Sequence, residues 1–154
     1  MNIKIRKINK EDTDNIIQWR NSIGVRKYFI DQNILSKKNH ENWLKNYVDK
    51  GLVSQFIIEC DGISVGSTFI KSIDKNRLDG EFGIFIGDTN YVRKGVGKQS
   101  IKLILDHAFN DLGLKRVYLR VRKDNDIAIK SYEKCGFVKY DEDDIVIFME
   151  IFRG

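Results

Sequence analysis

Proline is absent from these 154 residues, and cysteine and histidine occur only twice each. With no glycine- or serine-rich stretch, no low-complexity segment and no internal repeat, nothing marks a linker. At this length a single domain, 1–154, with a sizeable core is expected. Cys60 and Cys135 lie far apart with no paired histidines nearby. That spacing argues against a disulfide framework or a metal site and for a reducing, cytoplasmic setting. No apolar run approaches the roughly 20 residues that span a membrane. Residues 1–6 alternate like a strand instead of forming the apolar segment of a secretory leader. A dense basic arm is missing as well. The net charge of +5 comes from 27 scattered Lys and Arg against 22 Asp and Glu, a balance that steers acidic ligands without suggesting nucleic acid or membrane partners.

What is present centres on residues 81–97, Glu-Phe-Gly-Ile-Phe-Ile-Gly-Asp-Thr-Asn-Tyr-Val-Arg-Lys-Gly-Val-Gly. The run reads as a buried strand, a short turn and a glycine-punctuated loop that opens an amphipathic helix near Lys98. Such a loop leaves backbone N–H groups unpaired at a helix N-terminus, where the helix dipole adds about half a positive charge. Glycines at 95 and 97 allow close approach of an anion, so the geometry suits a pyrophosphate.

The remaining pattern is that of an α+β domain. Ile3, Ile5 and Ile8 mark a first strand, and Asp12 is placed to cap a helix carrying Ile16, Ile17 and Trp19. Ser36 is placed to cap a second helical stretch with Trp43, Leu44, Tyr47 and Val48. Residues 55–60 and 63–70 are strands joined at Asp61-Gly62, a hairpin signal, and 80–86 is another. Ile101, Leu105, Ala108 and Leu112 give the long helix one apolar face, and Gly113 ends it. Residues 116–122 alternate cleanly, with Val117, Leu119 and Val121 on one side. A helix at 127–134 stops at Gly136, and 138–140 with 145–152 close a hairpin over acidic residues 141–144.

Two phosphate-binding motifs fail here. A P-loop needs glycine where Val92 stands and Ser or Thr where Gln99 stands. A dinucleotide fingerprint has Arg93 in the first of its glycine places. The order strand, glycine loop, helix, strand and then Asn125-Asp126-Ile127-Ala128-Ile129-Lys130-Ser131-Tyr132-Glu133-Lys134-Cys135-Gly136-Phe137 instead resembles the GNAT acetyltransferase superfamily. One departure is that the family's loop opens on Arg or Gln, whereas Val92 stands there with Arg93 next to it.

The resemblance implies a mixed, mostly antiparallel sheet with splayed middle strands and flanking helices. It implies an acceptor-shaping part over about 1–75 and an acetyl-CoA-binding part over about 78–154. Acetyl-CoA would be the cosubstrate, with no metal. Its pantetheine arm would meet the main chain at Ile84 and Ile86. Its pyrophosphate would meet the loop Val92, Arg93, Lys94, Gly95, Val96, Gly97 and Lys98. Asn125 would pin the arm or the start of the following helix. Acetyl transfer to an amine needs a base, an oxyanion donor and an acid for the departing thiolate. Glu81 matches the base, a backbone N–H around Phe85 or Ile86 the oxyanion donor, and Tyr132 the acid.

For the acceptor, Trp19-Arg20-Asn21, Arg26, Lys27, Tyr28, His40 and Trp43 resemble the N-terminal half of nucleotide-linked amino-sugar acetyltransferases, those acting on a UDP-4-amino-4,6-dideoxy sugar in pseudaminic acid biosynthesis. The implied reaction is direct attack of that 4-amino group on the thioester in a ternary complex. A protein N-terminal or polyamine acetyltransferase and a catalytically silent acyl-CoA-binding regulator stand as alternatives. Pairing of two copies through the C-terminal strands is expected from the same resemblance. His107 and Cys135 are read as structural residues.

Overall fold

A computed structural model describes residues 1–154. Seven strands form one sheet in the order β1-β2-β3-β4-β5-β7-β6. They are β1 (Ile3–Lys7), β2 (Ser54–Cys60), β3 (Ile63–Asp74), β4 (Asp79–Ile86), β5 (Arg116–Arg122), β6 (Val138–Glu142) and β7 (Val146–Phe152). Every neighbouring pair is antiparallel except β4 with β5. Asp61 and Gly62 both take positive φ, 50° and 83°, as the two-residue hairpin between β2 and β3 requires.

Helices cover both faces. On one lie α1 (Thr13–Asn21), the short α2 (Ile23–Arg26) and α3 (Lys37–Trp43). Ile16 and Trp19 of α1 pack there with Leu44, Ile57 and Phe85. On the other lie α4 (Val96–Asp106) and α5 (Asp126–Lys134), closing a core that includes Ile70, Phe82, Ile101, Ile104, Val117, Leu119 and Tyr132. Both α3 and α4 run on into a π-helical turn, at Leu44–Val48 and His107–Asp111.

Three local expectations change. Asp12 does not cap α1, because its carboxylate accepts from both terminal nitrogens of Arg6 at 2.9 and 2.7 Å and from the Asn9 amide at 2.9 Å. Asn9 caps the preceding turn instead, accepting from the Glu11 amide. Helix α4 begins two residues earlier than expected, at Val96, whose side chain is fully buried beside Ile58, Cys60 and Val65. That burial anchors the glycine loop to the sheet and is worth about 1.5–3 kcal/mol. Strand β6 extends to Glu142, so the acidic turn is shorter than residues 141–144. Ser36 does cap α3, accepting from the Asn39 amide at 3.1 Å. His107 has a structural place, with its ring on Phe56 and its nitrogens on Ser54 and Asp111.

Candidate active site

β4 and β5 pair only at Asp79–Arg116, Gly80–Val117 and Glu81–Tyr118. Beyond that point β4 continues for five residues still paired to β3, yet leaves its β5 side open. The edge that opens carries Phe82 to Ile86, so backbone groups around Ile84 and Ile86 are free for a ligand that replaces a strand. Side chains alternate along it. Phe82, Ile84 and Ile86 face the α4 and α5 side, whereas Glu81, Gly83 and Phe85 face α1 to α3. Gly83 is compelled by packing, because a Cβ there would lie 2.2 Å from the Phe69 ring.

The loop after β4 reaches α4 through two left-handed residues, Arg93 at φ 65° and Gly95 at φ 79°. Gly95 is the N-cap with no side-chain hydrogen bond, and the first amide to find an intrahelical partner is that of Gln99, bonded to the Gly95 carbonyl. Val96, Gly97 and Lys98 therefore present unpaired amides. A Cβ at Gly95 or Gly97 would meet nothing within 4 Å, so the space above them is open. Val92, Arg93, Lys94 and Lys98 are exposed around this cradle. Asn125 caps α5, its side chain accepting from the Ala128 amide at 3.4 Å, which gives it the helix-starting role.

Glu81 and Tyr132 stand on opposite faces of the sheet at the level of the opening. Glu81 is ion-paired: its Oε2 accepts from Arg120 Nε at 3.1 Å and lies 4.0 Å from Lys71 Nζ. Tyr132 packs edge-on against Phe82 and Phe137, with ring centroids 5.7 and 5.9 Å away. Burial alone pushes the pKa of its hydroxyl well up, which keeps it protonated.

The α1–α3 residues separate into two groups. Trp19 is core, with its indole against Gly87, where a Cβ would fall 2.0 Å from Trp19 Cγ. Asn21 is used up by the peptide of Leu35, giving and accepting one bond at 2.9 and 2.7 Å. Trp43 donates to Gln55, which donates to Ser67, a bridge from α3 into β2 and β3. These three side chains thus have structural work that the sequence did not reveal.

Arg20 and His40 differ. The Arg20 guanidinium sits 3.9 Å over the Phe29 ring and 6.0 Å from that of Phe85, and its Nε is buried without a partner. Burial lowers its pKa and Asp31 opposes this. His40 is 2% exposed and its Nε2 also lacks a partner. Burial first, then the Arg20 charge, lowers its pKa against the pull of Asp12 and Glu41, so the ring is neutral at pH 7. Arg26 and Lys27 line a shallow cleft of about 260 Å³ with Ile23 and Gln32, and Tyr28 is exposed under the Lys27 ammonium.

The sheet is thus opened at its centre, with unpaired helix N-terminal amides on one side and unpartnered cations on the other. The acetyltransferase (GNAT) domain family matches residues 2–138. The chain belongs to the GNAT acetyltransferase family. Spermidine N(1)-acetyltransferase of Escherichia coli is 29% identical over 135 residues, 88% of this chain and 72% of that one. Acetyltransferase PseH of Campylobacter jejuni is 26% identical over 136 residues, 88% of this chain and 83% of that one. In structure, spermidine N-acetyltransferase from Vibrio cholerae, solved with CoA and spermine, superposes with a TM-score of 0.89 over 97% of this chain and 95% of that one, at 24% identity.

As a GNAT N-acetyltransferase the chain uses acetyl-CoA, which supplies the activated acetyl group. The open β4 edge fits its thiol arm, and the amides of 96–98 fit its pyrophosphate. Sequence reasoning did not identify Phe69, Lys71 or Arg120 around Glu81. The β5 alternation put Arg120 on the right face, but only sheet register places it beside Glu81. No group of three or more His, Cys, Asp or Glu side chains is arranged to hold a metal ion, and no helix is long and apolar enough to cross a membrane.

Proposed function

We propose that this GNAT domain acetylates a primary amine on an anionic acceptor, the 4-amino group of a UDP-linked amino-dideoxy sugar, by direct attack in a ternary complex. The observation that carries this reading is Arg20. The guanidinium is held on the Phe29 ring with no hydrogen bond from any of its nitrogens, and its two Nη groups, unlike the sealed Nε, stay open to an acidic ligand that would give them charge-assisted bonds. Arg26 and Lys27 extend the basic surface outward, and the exposed Tyr28 ring beside Lys27 offers a stacking surface. Glu81 takes the amine proton through Oε1, the oxygen that Arg120 and Lys71 leave free. Backbone N–H groups of β4 around Phe85 and Ile86 meet the developing oxyanion, and Tyr132 returns a proton to the thiolate across the opening.

The spermidine N-acetyltransferase relatives favour a second reading, a polyamine acceptor. Against it stands the charge of this chain: Lys71 and Arg120 bracket Glu81, and Arg20, Arg26 and Lys27 line the approach. A polycation would enter a field of its own sign. CoA-thiol release measured with a UDP-4-amino-4,6-dideoxy sugar, spermidine and a free-amine peptide separates the readings. Arg20→Ala should raise KM for the nucleotide sugar roughly 10- to 100-fold, the value of one charged hydrogen bond, and leave KM for acetyl-CoA unchanged. Equal effects on both substrates refute the assignment.

A further inference from the structure

Three arginines stand in a row on the Glu81 face of β5: Arg116, Arg120 and Arg122. Two are satisfied. Arg116 bonds Glu150 through Nε at 2.7 Å and Asp79 through Nη1 at 3.3 Å. Arg122 holds Asp124 through Nε and Nη2, both at 3.1 Å. Arg120 makes a single bond, from Nε to Glu81 Oε2, and its side chain is 39% exposed. Neither of its Nη atoms has a partner. It also lies two residues beyond Tyr118, the last β5 residue paired with β4, so it stands where the strands part.

A guanidinium is a planar fork whose Nε side and Nη1–Nη2 edge can serve two groups at once. At Glu81 the Nε side is taken and the edge is not. The carboxylate, for its part, is anchored through Oε2 to Arg120 and Lys71, with Oε1 left over. One side chain therefore touches the group proposed to accept the amine proton and keeps an unbonded, partly exposed edge at the level where the strands part.

We infer that Arg120 is a specificity-determining residue that sorts acceptors by the charge they carry within a side chain's reach of the reacting amine. Its Nη edge binds a phosphate or carboxylate of the acceptor, and it repels a second ammonium in the same place. Lys71, paired to the same carboxylate oxygen, adds to the repulsion. A cation with the amine and a second ammonium a few bonds apart would set like charges together, which disfavours its binding. An acceptor with an acidic group at that distance gains a charge-assisted bidentate contact instead. The inference rests on the acceptor reading above, with Glu81 as the base.

The test is the ratio of kcat/KM for the UDP-4-amino-4,6-dideoxy sugar to that for spermidine, in wild type, Arg120→Gln and Arg120→Lys. A wild-type ratio below one overturns the acceptor reading, and the inference with it, before any variant is compared. With a wild-type ratio above one, Arg120→Gln should lower it about 10- to 100-fold, mostly through KM, with KM for acetyl-CoA unchanged. Arg120→Lys should give a ratio between those of wild type and Arg120→Gln, because the repelling charge remains and the bidentate contact is lost. An Arg120→Gln ratio equal to that of wild type overturns the inference alone. So does an equal loss of kcat with both acceptors, which would assign Arg120 only to holding Glu81. Thermal melts of the variants should match wild type, since the arginine is partly exposed and its one partner keeps Lys71.

Discussion

Replacing Tyr132 by phenylalanine separates packing from chemistry at one position. The ring is 8% exposed and lies between Phe82 and Phe137. Its raised pKa has burial as the only cause, with no hydrogen bond contributing, so deleting the hydroxyl orphans no partner. Tyr132→Phe should therefore shift stability by no more than about 0.5 kcal/mol, or about 1–2 °C in Tm. Tyr132→Ala, which empties the aromatic site, should cost about 3–5 kcal/mol. If the hydroxyl protonates the departing thiolate, Tyr132→Phe should lower kcat about 10²- to 10⁴-fold. KM for either substrate should hardly change, because the hydroxyl acts after both are bound. The assay is thiol release at saturating acetyl-CoA and acceptor, paired with a thermal melt. A linkage effect gives a second readout. The folded tyrosine holds its proton above the ordinary pKa near 10. Its contribution is complete below that value and is lost as pH rises, when the unfolded chain ionises first. Tyr132→Phe should remove this part of the alkaline decline. A variant that melts like wild type and keeps kcat within about threefold would refute the proton-donor role.

Gly95→Ala forces a Cβ into φ 79° at the N-cap of α4, a strain of about 1–2 kcal/mol. It should raise KM for acetyl-CoA roughly 5- to 30-fold without changing acceptor KM; equal changes in both would separate the loop from cofactor binding. Asp12 gives a pH signature. Burial disfavours its charge, but the hydrogen bonds from Arg6 and the Asn9 amide outweigh this and hold its pKa below the ordinary value. The stability it adds is present above the unfolded pKa near 3.9 and disappears as pH falls through the folded one. Asp12→Asn should thus cost about 1–3 kcal/mol at pH 7 and progressively less as the pH falls below about 3.9, read from urea midpoints; a cost that does not change with pH would place its role in packing instead of charge.

Much of the fold is written in short-range pattern. The alternation of 116–122 predicts a strand with Val117, Leu119 and Val121 inward, and all three are buried. Asp61-Gly62 predicts the hairpin, and Ser36 predicts the cap on α3. The glycine loop ahead of an apolar helix face marks the start of α4, with Gly95 as its left-handed N-cap. Each of these is decided by residues within about four positions of one another, through backbone conformation and hydrophobic period, so the sequence by itself determined them. Partner choice among side chains was decided elsewhere. Glu81 meets Arg120 across 39 positions, because the last paired register of β4 and β5 ends beside them. Trp19 is core because Gly87 leaves room for its indole. Asn21 is spent on the Leu35 peptide fourteen positions away. Arg20, next to both in sequence, is left with an unbonded Nε. Charge and hydrogen-bonding capacity belong to residue types, but whether a group is free to act depends on what the sheet and helices bring within 3 Å of it, and only the tertiary structure decided that.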